Sequence, residues 1–192
     1  KRNAFLNVIY TVVNMIFPLI TYPYVTRILS ADGMGKVSFF SSISNYAVMI
    51  GSLGISTYGI RAVAKIRDDE KELSKVTSEL FWLNILITIT VVFSLLATVP
   101  LVDKFSEEFI LLFINIVIII STPFGLNWLY SGLEQYSYIT RRTIIFKTAS
   151  LVLVFLLIKR KEDYPLYAAL TAFSTVGAYL CNLLYSRRFV KI

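Results

Sequence analysis

The chain has 192 residues, of which 56% are hydrophobic and 16% charged, with a formal net charge of +7 and a mean hydropathy of +0.69. That balance is far from an ordinary soluble domain and points to an integral membrane protein. There is no histidine and one cysteine, Cys181, which removes the usual imidazole base, the usual zinc ligand and any disulfide framework, so neither an ordinary hydrolase nor a metal or cofactor site is expected.

A bilayer core of about 30 Å needs roughly 20 mostly apolar residues per helix, because the backbone must satisfy its hydrogen bonds internally. Six segments meet that demand, and the expected fold is an all-α integral membrane protein with six transmembrane helices. The first runs from Ala4 to Leu29. It is longer than the apolar part of a secretory signal and has no small-residue cleavage pattern after it. The chain opens on Lys1, which fits a fragment boundary. Asn3, Asn7, Asn14, Pro18 and Thr21 recur at helical spacing, placing them on one face. Pro18 and Pro23 remove backbone donors and permit a bend or hinge; proline also serves packing alone.

The second segment, Lys36 to Ala62, carries Ser38, Ser42, Asn45, Ser52 and Ser56 on one helical face, with Met49 the apolar member of that row. Between Arg61 and Glu79 lies the one long polar connection, whose mixed charges at helical spacing predict an amphipathic helix or loop. Leu80 to Val102 forms the third segment and Phe109 to Ser131 the fourth, which Pro123 and Gly125 interrupt. The fifth, Ile144 to Ile158, is short and contains Lys147, so it must lengthen into its flanks or let that lysine snorkel. The sixth, Leu166 to Tyr185, repeats the polar face with Thr171, Thr175, Asn182 and, just beyond its end, Ser186. The remaining connections are short, which predicts antiparallel neighbours in one compact bundle over residues 1–192.

Counted over loops and helix ends, thirteen Lys and Arg fall on the side of the N-terminus and six on the other. The positive-inside rule then places both termini in the cytoplasm, and the charge needs no nucleic-acid target.

The three polar faces either line a shared cavity or pack helices closely through hydroxyl and small residues. Carboxamides at mid-depth favour the cavity, since Asn14 and Asn45 need partners that lipid cannot supply. Arg27, Lys36, Arg61, Arg142 and Lys147 lie at helix ends. Singly each reads as a snorkelling topology marker; as a set they suit an anionic headgroup held by charge-assisted hydrogen bonds. No Asp or Glu lies in the middle of a segment, which disfavours a proton- or cation-coupled antiporter.

Local motifs go further. The run from Pro18 to Leu29, with Tyr22, Pro23, Tyr24 and Arg27, is followed by Gly33, Gly35, Lys36 and Phe40. Leu53 to Arg61 closes the second segment, and Asn127-Trp128 through Gly132 and Glu134 continues to Arg141-Arg142. In these ordered stretches the chain resembles bacterial polysaccharide flippases, the Wzx-type members of the multidrug/oligosaccharidyl-lipid/polysaccharide exporter superfamily. The resemblance implies a carrier of two six-helix lobes around a cavity open to one side at a time, of which this chain resembles the first, with the second lobe absent.

It further implies movement of an undecaprenyl-pyrophosphate-linked oligosaccharide from the inner to the outer leaflet of the bacterial cytoplasmic membrane, for capsule, O-antigen or exopolysaccharide assembly. No covalent chemistry is implied, so no enzyme is expected. In that picture Arg27, Lys36, Arg61, Arg142 and Lys147 guide the pyrophosphate, while Asn14, Asn45, Asn127 and Asn182 line the cavity. Tyr22, Tyr24 and Trp128 either stack on sugars or anchor at the interface, and Pro18, Pro23 and Pro123 act as hinges. The implied partners are the lipid-linked oligosaccharide, membrane lipids, the missing C-terminal lobe and the polysaccharide polymerase machinery. Two rivals share the architecture: a multidrug antiporter lobe for cations, and a non-transporting scaffold subunit whose polar faces bind another protein.

Overall fold

The structure is a computed structural model that describes residues 2–52 and 54–191, without the side chains of residues 2–6. Lys1 and Leu53, and the side chains of Arg2 and Asn3, which entered the charge count, the motifs and the first polar face, therefore lie outside the described residues.

Among the described residues every regular element is helical. The chain folds as α1 (Arg2–Ile28), α2 (Ser30–Ser52), α3 (Ile55–Ile66), α4 (Glu70–Thr98), the short α5 (Asp103–Glu107), α6 (Phe109–Ser121), α7 (Asn127–Gly132), α8 (Tyr136–Leu157) and α9 (Tyr164–Ser186). Among the described residues four stretches have the length and apolarity to cross a membrane: Asn7–Ile28, Glu70–Leu101, Phe109–Gly132 and Lys161–Ser186. The pair α2 and α3, bent by 42°, counts as a fifth when taken as one broken span. It pivots next to Gly54, whose φ of 78° is a left-handed conformation that glycine adopts without steric cost. The chain is thus an all-α, multi-pass membrane protein.

The expectation of six apolar spans meets its exception at α8. This helix has 22 residues, having lengthened at its N-terminal side as anticipated, but Arg141, Arg142 and Lys147 lie within it and keep it from reading as a purely apolar span. The polar stretch from Arg61 to Glu79 is not a separate element either. It divides between the end of α3 and the first turns of α4, broken only at residues 67–69, where the Asp69 side chain caps α4 by accepting from the backbone N–H groups of Lys71 and Glu72 at 3.0 and 3.1 Å.

Pro18 and Pro23 do not interrupt α1, which stays helical across both. Near the prolines two hydroxyls bond back to the helix: Thr21 donates to the Phe17 carbonyl at 2.9 Å and Thr26 to the Tyr22 carbonyl at 2.9 Å. Pro123 does break its helix. Thr122 to Gly125 form a 3-10 turn, Leu126 turns left-handed at φ 42°, and the chain restarts as α7. The Thr122 hydroxyl takes the Ile119 carbonyl, the one a residue at 123 would ordinarily bond, at 2.7 Å.

Helix α1 rests mainly on α8, not on its sequence neighbour α2, and α9 packs against α6 and α8. One end of the bundle gathers the α1–α2, α5–α6 and α8–α9 turns, where Val25, Leu29, Phe40, Leu111 and Ile158 are wholly buried. The opposite end holds α3, α7 and the C-terminus around Val63, Leu129 and Tyr130. Large apolar side chains such as Leu19, Leu86, Phe93 and Leu184 are more than half exposed on the outer faces, which in a membrane protein is the surface given to lipid.

Candidate functional site

Where α1, α8 and α9 meet beside the break in the fourth segment, a cavity of about 190 Å³ opens into the bundle. Asn14 and Tyr10 reach it from α1, Asn127 from the first position of α7, Arg142, Thr143 and Lys147 from α8, and Ser174, Thr175 and Tyr179 from α9. A smaller cavity of about 100 Å³ lies on the other side of Asn127 and Tyr179, between Ser52, Ser56, Asn84 and Trp128. Five of the residues singled out from sequence therefore share one cavity: Asn14, Asn127, Arg142, Lys147 and, from the polar face of α9, Thr175. Tyr10 and Tyr179 escaped notice, although each sits one helical turn from a polar residue of its row, Asn14 and Thr175.

Arg142 is only 7% exposed. Its guanidinium donates from Nη2 to Asn127 Oδ1 at 3.3 Å and to Thr143 Oγ1 at 3.4 Å, and from Nη1 to the Ala178 carbonyl at 3.5 Å. The Tyr138 ring lies 6.0 Å from its centre, and Nε has no hydrogen-bond partner. Among the described residues it forms no ion pair. Lys147, half-buried, sits 5.0 Å from the centroid of the Phe17 ring. Both cations are thus held by uncharged groups.

Asn182 is fully buried and sits behind this cavity instead of lining it. Its Nδ2 donates to the Gly125 carbonyl, freed by the break, and to Asn127 Oδ1 at 3.2 Å, while the Tyr130 hydroxyl donates to its backbone carbonyl. It therefore fastens the broken helix to α9.

The other residues singled out lie elsewhere. Arg27 is exposed at the end of α1 and Arg61 on α3. Lys36 stands at the opposite end of the bundle, 2.7 Å from Glu108 Oε1 and 3.3 Å from Asp32 Oδ2. Asn45, with Ser38 and Ser42, is exposed on an outer face of α2. Tyr22 is exposed, whereas Tyr24 reaches α8, its hydroxyl donating to the Ile158 carbonyl at 3.0 Å and its ring 4.5 Å from that of Phe155. Trp128 is 5% exposed and covers Gly59, with an edge on the smaller cavity.

A family model described as polysaccharide biosynthesis protein matches residues 1–192. A protein of Escherichia coli (strain K12), named "Putative O-antigen transporter", is 28% identical over 166 residues, covering 82% of this chain and 39% of that protein. One of the same name from Shigella dysenteriae is 26% identical over 184 residues, covering 96% of this chain and 45% of that protein. The chain spans less than half the length of these curated relatives. No solved structure matches it.

Proposed function

Since the chain belongs along its whole length to the polysaccharide biosynthesis protein family, we propose that it is the N-terminal six-span lobe of a flippase for undecaprenyl-pyrophosphate-linked oligosaccharides. The carrier brings repeat units from the inner to the outer leaflet of the bacterial cytoplasmic membrane for O-antigen, capsule or exopolysaccharide assembly. The observation that carries this reading is the cavity holding Arg142 and Lys147 among Asn14, Asn127 and Thr175 inside an otherwise apolar helical body.

The lipid tail of such a substrate stays in the bilayer while its charged and hydroxylated head must cross, and hydrocarbon would impose a prohibitive desolvation cost on that head. A wall of carboxamides, hydroxyls and two cations lowers that cost without any bond being made or broken, so the chain acts as a carrier and not an enzyme. In this reading α8 is also a span, the fifth in chain order, and brings the number to six. It turns Arg142 and Lys147 inward while Ile145, Val152 and Leu156 face out. Both termini lie in the cytoplasm, and a second lobe faces the polar row on α2 to close the pathway. Arg27 and Arg61 guide the pyrophosphate toward the cavity, and Pro123 supplies the hinge. Among the described residues no Asp or Glu lines either cavity near Arg142, which favours an anionic cargo over a cationic drug.

The test is transport by the full-length gene product in proteoliposomes. Lipid-linked oligosaccharide should move between leaflets, and Arg142→Ala should lower the rate at least tenfold with normal insertion. Movement of a cationic dye against an ion gradient, with the oligosaccharide left in place, defeats the proposal.

A further inference from the structure

Arg142 and Lys147 are buried or half-buried cations without a carboxylate beside them, unlike Lys36 at the end of the bundle. At the bundle ends Lys36 touches Glu108 and Asp32, and Arg67 Nη1 lies 3.1 Å from Glu134 Oε1, while the exposed Lys104 and Arg188 lie over aromatic rings. In the cavity beside the helix break the cations meet only neutral groups. Arg142 is oriented by a carboxamide oxygen, a hydroxyl and a backbone carbonyl, and Lys147 lies against an aromatic ring. A carboxylate at position 127 would hold the guanidinium more firmly through a charge-assisted bond, yet it would also cancel the charge. A carboxamide fixes the same fork and leaves the charge standing.

Asn127 is itself held. Asn182 Nδ2 donates to the same Oδ1 that receives Arg142, so two donors converge on that oxygen and set which end of the amide faces the cavity. Asn182 is anchored in turn by the Gly125 carbonyl. The unpartnered Nε of Arg142 keeps one donor uncommitted in a buried place, where an unmade hydrogen bond is costly. The cavity, about 190 Å³, has room for several waters or one compact anion and none for a chain of sugars.

We infer that Asn127 is a specificity-determining residue of an anion subsite: positioned by Asn182, it orients Arg142 without neutralising it, so that Arg142 and Lys147 receive a phosphate or diphosphate group. The inference deepens the flippase reading and rests on it for the source of that group. The subsite takes the phosphate portion of a ligand while the remainder lies outside the cavity.

The experiment places the full-length protein in phosphatidylcholine nanodiscs and titrates inorganic pyrophosphate calorimetrically against the parent, Asn127→Asp, Asn127→Ala and Arg142→Gln. Asn127→Asp preserves shape and tightens the grip on Arg142. A purely structural role for Asn127 therefore predicts unchanged binding, whereas the subsite predicts at least a tenfold loss together with a higher melting temperature. Asn127→Ala, which keeps the charge and loses its orientation, should weaken binding a fewfold, and Arg142→Gln should abolish it. Equal binding by Asn127→Asp and the parent overturns the inference, as does no binding by the parent at millimolar pyrophosphate.

Two further arms identify the source. Displacement of pyrophosphate by a polyprenyl diphosphate in the disc assigns the subsite to a lipid headgroup. Displacement by phosphatidylglycerol assigns it to bulk anionic lipid, and displacement by neither assigns it to a soluble phosphate; each keeps the subsite. Pyrophosphate binding lost in Asn127→Asp, but with no oligosaccharide transport by the parent, sinks the flippase reading alone. Transport by Asn127→Asp at the parental rate, with no pyrophosphate binding by the parent, sinks the subsite alone.

Discussion

The Lys36 ammonium lies 2.7 Å from a Glu108 carboxylate oxygen, and the other oxygen of that carboxylate receives the Tyr164 hydroxyl at 2.9 Å. One carboxylate therefore ties together the starts of α2, α6 and α9. The Glu108 side chain is 13% exposed, so either partner left alone would remain charged in a place only partly open to solvent. Asp32, one turn before Lys36 and 3.3 Å away, is largely exposed and contributes less.

Breaking this contact should loosen the end of the bundle without touching the cavity. Lys36→Glu and Glu108→Lys should each lower the melting temperature in detergent, and the double exchange should regain a substantial part of the loss. Pyrophosphate binding at the Arg142 cavity should stay at the parental level in all three. If the double exchange is no more stable than the worse single variant, Lys36 and Glu108 are not a coupled pair.

That pair also marks where sequence reading ends. The helical rows and the interrupted fourth segment were legible because periodicity and Pro123 are local properties. The carboxamide argument, that lipid offers amides no partners, named Asn14, which lines the cavity, and Asn45, which lies on an outer face, while Asn127 came from the family resemblance. Glu108 was out of reach: it stands 72 positions from Lys36, and nothing in either neighbourhood announces the other. The row on α9 was legible as a row but not as two environments. Thr175 opens on the cavity while Asn182, two turns on, is consumed by the Gly125 carbonyl. That carbonyl exists as a free acceptor only because the helix opposite is broken, which is a fact about packing. The mixed charges from Arg61 to Glu79 misled in a smaller way, since solvated helix ends and a separate amphipathic helix share the same pattern.

Close packing of α3 on α7 gives a second prediction. A Cβ added at Gly132 would lie 2.6 Å from Val63 Cβ and Cγ1 and 3.1 Å from the Ile60 carbonyl oxygen. Rotating Val63 moves its Cγ1 but neither its Cβ nor the Ile60 carbonyl, so relief requires moving α3 itself. Gly132→Ala should cost about 1–3 kcal/mol, the range for overpacking a well-filled contact, read as apparent unfolding free energy in a denaturant titration in detergent. Gly35→Ala is the control. An added Cβ there meets nothing within 4 Å, so the exchange should stabilise α2 by up to about 1 kcal/mol. A Gly132→Ala protein as stable as the parent would show that α3 and α7 do not approach this closely.

The polar row on α2 supplies the last prediction. Ser38, Ser42 and Asn45 are exposed on one face of α2, and Ser42 partly meets its own needs by donating to the Ser38 carbonyl at 2.8 Å. Asn45 has four hydrogen-bonding positions to fill, and hydrocarbon fills none of them. The row must therefore look onto water or onto polar groups of another part of the carrier. Thiol chemistry separates a wet face from a lipid face, because the reactive species is the thiolate, which forms only where water reaches. In the full-length protein with Cys181→Ala, cysteines at Asn45 and Ser42 should react with a charged, membrane-impermeant thiol reagent at least tenfold faster than cysteines at Leu86 or Phe93. Those two side chains are 63% and 69% exposed on the apolar face of α4. Saturating lipid-linked oligosaccharide should slow the reaction at Asn45 if that face borders the substrate pathway. Equal, slow rates at all four positions would mean that α2 turns its polar row to neither water nor cargo, and the row would then serve helix packing against the rest of the carrier.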